Sequence, residues 1–160
     1  MTYSAQTSSL SPDQIQDILN KAKQLAEDHY LEFAGTVTPQ DAWLLFQTGD
    51  AVIVDVRTIE ERKFVGHIPN TIHIPWATGI ALNRNLRFAQ DLESKVGKDK
   101  LILLLCRSGK RSAAAANVAF NAGFNQVYNI DQGFEGDLDE NHHRGSFNGW
   151  RYHKLPWVQE

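Results

Sequence analysis

Residues 106 to 112 read CRSGKRS and hold the chain's one cysteine. Around that thiol stand three cations, Arg107, Lys110 and Arg111, two hydroxyls, Ser108 and Ser112, and one glycine, Gly109. The chemistry open to such a set is nucleophilic attack by sulfur. The thiolate is the attacking form, and a free thiol of ordinary pKa near 8.5 is only about 3% ionised at pH 7. The three cations and the backbone N–H groups of a turning loop favour the anion. Gly109 permits the positive φ that such a turn needs, and Ser108 and Ser112 can donate to sulfur or to an anionic substrate. A lone cysteine is more often inert core packing. A packing thiol, however, gains nothing from three cations, and burying them without an anion would be costly. A phosphate-binding loop fits poorly, because the first glycine of GxxxxGK[ST] is missing and Arg111 replaces its hydroxyl residue.

A nucleophile needs a rigid element behind it. Leu101 to Leu105 reads LILLL and Ala51 to Asp55 reads AVIVD. Such unbroken apolar runs suit strands covered on both faces, hence a parallel sheet. Segments 71–74 and 126–130 read as further strands, with helices near 58–63, 86–95 and 111–122 between them. The alternation predicts an α/β domain, and Cys106 falls at the carboxyl end of a strand, where open α/β sheets bind ligands. Upstream, residues 1–10 are small and polar and are expected to be disordered. Ser11-Pro12-Asp13-Gln14 carries a helix-start signature for a segment over 12–31 that ends before Gly35. Its apolar stripe suits either a docked appendage or a partner-binding helix. Thr38-Pro39-Gln40-Asp41 opens a second helix that Gly49 closes. The expected organisation is a tail and helix over 1–35 and one domain over 36–158.

Three segments in order resemble the rhodanese, or thiosulfate sulfurtransferase, homology domain: Ile53-Val-Asp55-Val-Arg57 with Glu60, Gly66-His-Ile-Pro-Asn70-Thr-Ile-His-Ile-Pro75, and the six-residue loop Cys106 to Arg111. The resemblance implies a parallel five-stranded sheet flanked by helices. It also implies that Cys106 takes the outer sulfur of a donor such as thiosulfate as a persulfide and passes it to cyanide, a thiol or a protein cysteine. Residues 107–112 would then bind substrate, with Arg111 holding the sulfite end of thiosulfate. No metal or organic cofactor is implied. With no second cysteine the acceptor must come from outside, from small thiophiles to thioredoxin-like or sulfur-insertion proteins. A non-turnover sulfur carrier is the alternative. Dual-specificity phosphatases share this fold, but their loop sets cysteine and arginine six positions apart, against five here. One departure stands out: where the family commonly has two adjacent glycines and then tryptophan, residues 131–136 read DQGFEG, which puts the pocket wall in question.

Sixteen basic against nineteen acidic residues give a net charge of −3, so no global field recruits nucleic acid or an acidic membrane. No stretch approaches the roughly 20 apolar residues of a membrane span, and none reads as a signal peptide. A soluble cytoplasmic protein is expected. Asp55, Arg57 and Glu60 are expected to form a structural ion-pair cluster, and His67 and His73 to fix loops. The run Asp137 to Asn141 imitates the start of a calcium loop, but His142 stands where glycine is required and Asn148 where glutamate is. His142, His143 and His153 are expected on solvated surface. Trp150, after Asn148-Gly149, is expected to anchor the tail near Trp157.

Overall fold

The structure, a computed structural model, describes residues 10–29 and 33–160. The expected disorder of residues 1–9 and the end of the first helix beyond residue 29 lie outside the described residues. Along the chain run α1 (Pro12–Asp28), β1 (Gly35–Val37), α2 (Pro39–Gln47), β2 (Ala51–Asp55), α3 (Ile59–Phe64), β3 (Ile72–His73), β4 (Ala77–Thr78), β5 (Asn83–Arg84), α4 (Phe88–Lys95), β6 (Leu101–Leu105), α5 (Lys110–Asn121) and β7 (Val127–Ile130). Five strands form one parallel sheet in the order β1-β7-β6-β2-β3, while β4 and β5 make a separate antiparallel hairpin.

The apolar runs explain the layering. In β6, Leu101, Leu103 and Leu105 join a core with α1 and α2, whereas Ile102, Leu104 and then Cys106 join a second core with α4 and α5. Both faces are covered, so no polar alternation appears. α1 starts with the expected capping box, Ser11 with Gln14, and buries Leu19, Ala22 and Ala26. It therefore packs against the domain. Strand β1 has no counterpart among the strands expected from the sequence. Three residues are too few to show a period, and β1 pairs only with β7, as the sheet's edge. The β4–β5 hairpin is likewise unmarked, because its turn, Gly79-Ile80-Ala81-Leu82, lacks the polar residues that usually signal one.

β2 and β6 run in register, with Asp55 opposite Leu105. Both strands thus stop at the same edge, and the loops that leave them meet above the sheet. Asp55 and Arg57 have no solvent exposure. The Arg57 guanidinium donates to both Asp55 oxygens and to the Gly66 carbonyl, and it lies 4.3 Å from the centre of the Phe134 ring. The third member of the cluster is Arg62, at 2.9 Å from Asp55 Oδ2, and not Glu60. Helical phase accounts for the correction: α3 begins at Ile59, which turns Arg62 rather than Glu60 toward the strand. His73 fixes its loop as expected, its Nε2 donating to the Arg57 carbonyl. At the tail, Trp150 is buried with Nε1 donating to the Pro156 carbonyl, Trp157 stands edge-on to Phe134, and Val158 pairs with His67.

Burial alone would raise the Asp55 carboxyl, but the charge and hydrogen bonds of Arg57, with the charge of Arg62, hold it below the usual carboxylate range. A depressed carboxyl adds stability above its unfolded value and loses it as pH falls through its folded one. Asp55→Ala is expected to cost about 3–5 kcal/mol in urea unfolding at pH 7, because it leaves buried guanidinium uncompensated. That cost should shrink below about pH 4, where the unfolded carboxyl is protonated. A loss under about 1 kcal/mol at pH 7 would contradict the role given to this cluster.

Candidate active site

Cys106 directly follows β6, and its sulfur accepts two hydrogen bonds, from the Gly109 N–H at 3.0 Å and from the Ser112 hydroxyl at 3.2 Å. Gly109 adopts φ 102 and is the residue before the first turn of α5. A side chain is rarely tolerated at that φ, and the conformation is what aims its amide at sulfur. Lys110 and Arg111 occupy the first turn of α5, and that turn contains no acid. Two cations at the positive end of a helix repel its dipole and call for anions. Glu61 is one of them. Its carboxylate takes a bidentate pair of bonds from Arg111, at 2.7 and 2.9 Å, and at the same time caps α3 through the Thr58 N–H. An anionic sulfur is the other that the site can accommodate.

Ser112 introduces a constraint that comes from counting protons. Its oxygen lies 2.5 Å from Asn129 Oδ1 and 3.2 Å from the Cys106 sulfur. The Asn129 amide is oriented by its Nδ2, which donates to the Gly109 carbonyl at 3.3 Å. A hydroxyl has one proton to donate. With a neutral thiol, S–H donates to Ser112 and Ser112 donates to Asn129; with a thiolate, the Ser112 proton must turn to sulfur.

A second loop holds this one in place. Phe134 N–H donates to the Cys106 carbonyl, and the Glu135 and Gly136 N–H groups donate to the Arg107 carbonyl. The backbones lie so close that a Cβ on Gly133 would stand 2.5 Å from Arg107 and Ser108 backbone atoms. Of the two glycines in DQGFEG, Gly133 is the one this packing requires, and Phe134 beside it fills the wall with its ring against Arg57.

A cavity of about 240 Å³ opens beside the loop, lined by Thr58, Glu60, Glu61, Gly79, Ile80, Leu82, Arg107 and Arg111. Cys106 is recessed, with 1% exposure. Of the expected site residues, Cys106, Gly109 and Ser112 are brought together around sulfur, Arg107 and Arg111 line the cavity, and Ser108 is half-buried in the loop. Lys110 is exposed on α5. The Arg111 fork expected to hold a sulfite group is occupied by Glu61. Glu61 and Asn129 are not among the residues expected from the sequence. Thr58-x-x-Glu61 is a capping-box signature, and Asn129 is a polar residue inside a fully buried strand, but their partners lie 50 and 17 residues away. His153 is also not on solvated surface as expected: it is half-buried between Gln132 and Gln40.

The rhodanese-like domain model matches residues 38–140, and the chain belongs to the rhodanese-like family. Among curated proteins it is similar to the uncharacterized protein RP600 of Rickettsia prowazekii, 38% identical over 118 residues that cover 71% of this chain and 88% of that one. It is also similar to the thiosulfate sulfurtransferase GlpE of Pseudomonas savastanoi pv. phaseolicola, 32% identical over 62% of this chain and 82% of that one. Among solved structures, Rv0390 from M. tuberculosis superposes with a TM-score of 0.72 at 40% identity, covering 80% of this chain and 99% of that one. Among the described residues no helix is long and apolar enough to cross a membrane.

Two outcomes test this geometry. Hydrogen bonds to charged groups contribute about 1.5–3 kcal/mol, so Ser112→Ala should slow alkylation of Cys106 by iodoacetamide at pH 7 at least about tenfold; an unchanged rate would remove Ser112 from the site. The second concerns Glu61, whose carboxyl burial would raise but the Arg111 hydrogen bonds and charge hold below its ordinary 4.5. Glu61→Gln should therefore be less stable than the native protein at pH 7. The two should converge as pH falls through the folded Glu61 value, as read by thermal unfolding across that range. A gap that persists at pH 3 would argue against the ion pair.

Proposed function

We propose that this protein is a sulfurtransferase that carries a sulfane sulfur on Cys106. The observation that supports the reading is the pair of hydrogen bonds to the Cys106 sulfur at the cationic N-terminus of α5, which suits a single anionic sulfur atom. The thiolate attacks the outer sulfur of thiosulfate, forming the Cys106 S–S bond and breaking the bond to the sulfite group: Cys106–S⁻ and S₂O₃²⁻ give Cys106–S–S⁻ and SO₃²⁻. A nucleophile such as cyanide then takes the outer sulfur, giving SCN⁻ and restoring Cys106–S⁻. Neither half needs an added oxidant, reductant or strong base once the thiolate is formed.

The same geometry favours sulfur over phosphate. Phosphate recognition leans on a free arginine fork, and here both bonding nitrogens of Arg111 go to Glu61. The relative named as a thiosulfate sulfurtransferase supports the reading at family level. Because Arg107 is exposed and makes no ion pair among the described residues, it is the cation free to meet an anionic donor at the cavity.

After incubation with thiosulfate, intact-mass measurement should find one added sulfur that dithiothreitol removes, and Cys106→Ser should show neither the adduct nor thiocyanate formation. Phosphatase turnover on an aryl phosphate together with absence of the adduct would overturn the reading.

A further inference from the structure

The β4–β5 hairpin presents apolar side chains where a turn ordinarily presents polar ones. Ile80 is 98% exposed and Leu82 is half-exposed, and both line the cavity beside the loop. Leu82 also holds φ 53, a left-handed conformation that bulky residues seldom adopt. Such strain persists only where the surroundings fix it, and it collects at functional sites. The hairpin's base is anchored. Arg84 stacks on Trp76 at 3.3 Å, Trp76 stands edge-on to the buried Phe88, and Asn85 bonds the carbonyls of Trp76 and Pro75. On α3, Phe64 lies one helical turn beyond the cavity-lining Glu60 and is 73% exposed. Single exposed apolar residues need no explanation, but two on one turn that both line a cavity do.

Resting on the sulfurtransferase reading, we propose that this rim docks a protein that presents its own cysteine between apolar side chains, with acidic residues at the edge, and that this cysteine is the acceptor of the Cys106 sulfur. Three observations select that occupant. The cavity, at about 240 Å³, is below the roughly 300–1,000 Å³ of pockets that enclose a small-molecule ligand, yet it has room for a side chain. The Cys106 sulfur is recessed, so an acceptor thiol must reach it on a protruding segment. Arg107 at the cavity and Lys110 in the same loop are exposed and make no ion pair among the described residues, which complements an acidic rim. Glu60 is the opposing carboxylate at the cavity, since Glu61 is paired with Arg111. In the transfer, Cys106–S–S⁻ and R–SH give Cys106–S⁻ and R–S–SH. One S–S bond forms as another breaks, and the thiol proton ends on the persulfide product.

The test compares two acceptor peptides, acetyl-Glu-Leu-Cys-Leu-Glu-amide and acetyl-Glu-Ser-Cys-Ser-Glu-amide, with the full chain loaded by thiosulfate. The leucine peptide should show kcat/KM about tenfold above the serine peptide, the scale of two small apolar contacts. In Ile80→Ser/Leu82→Ser the ratio should fall below about twofold. Ile80→Asp alone, at a side chain that no neighbour covers, gives the same readout should the double variant fail to fold. A native ratio below about twofold, or a variant that keeps the native ratio, overturns the docking proposal. Absence of a thiosulfate-dependent adduct on Cys106 overturns the sulfurtransferase reading and this proposal together, whereas an adduct without peptide preference overturns this proposal alone.

Discussion

The buried carboxylate of Asp55, shared between Arg57 and Arg62, is the interaction from which the site is built outward. It sits at the end of β2, in register with the end of β6, so whatever it fixes is fixed relative to Cys106. Arg62 belongs to α3, and holding Arg62 sets the position of that helix over the sheet. α3 in turn carries Glu61, whose carboxylate reaches Arg111 in the first turn of α5. The result is a chain of ionic contacts from the sheet's centre to the helix that faces sulfur. Each link neutralises a charge that its neighbour would otherwise leave exposed to low dielectric.

The loop on the other side completes the frame by a different means. The carbonyls of Cys106 and Arg107 are taken up by the N–H groups of residues 134–136. With those acceptors turned outward, the Gly109 amide is left to face the sulfur. Backbone groups have to be paired somewhere, and here the pairing of one set decides the direction of the other. The replacement of the usual glycine pair and tryptophan by DQGFEG leaves this arrangement intact, because Gly133 still allows the close approach and Phe134 supplies an aromatic ring.

Local pattern determines the parts of this fold that are legible in the sequence. LILLL and AVIVD announce a parallel sheet, the capping signatures place α1 and α2, and the loop composition points to Cys106. The parts that are not legible depend on partners distant along the chain. β1 exists only because β7 lies beside it, and the hairpin turn has a single turn residue, Gly79, followed by apolar ones. The choice of Arg62 over Glu60 hangs on where α3 begins, a matter of one residue. Arg111 reads as a free anion-binding fork until Glu61, 50 residues earlier, is placed in its grip. Asn129 is visible as a polar residue within a strand, but nothing local links it to Ser112.

The bonds among Cys106, Ser112, Asn129 and Gly109 close on themselves. Sulfur takes from the Gly109 amide and from Ser112, Ser112 touches Asn129, and Asn129 returns to the Gly109 carbonyl. Only the Ser112 proton can turn within this circuit, since the Gly109 N–H and Asn129 Nδ2 donors are fixed, and the charge on sulfur chooses which way it points. On the proposed function, an outer sulfur atom would carry the charge away from Cys106 and release the Ser112 proton toward Asn129 on β7. On the sulfurtransferase reading, the loaded and empty forms of the protein therefore differ inside the sheet as well as at the mouth, with no movement of the backbone required to convey it.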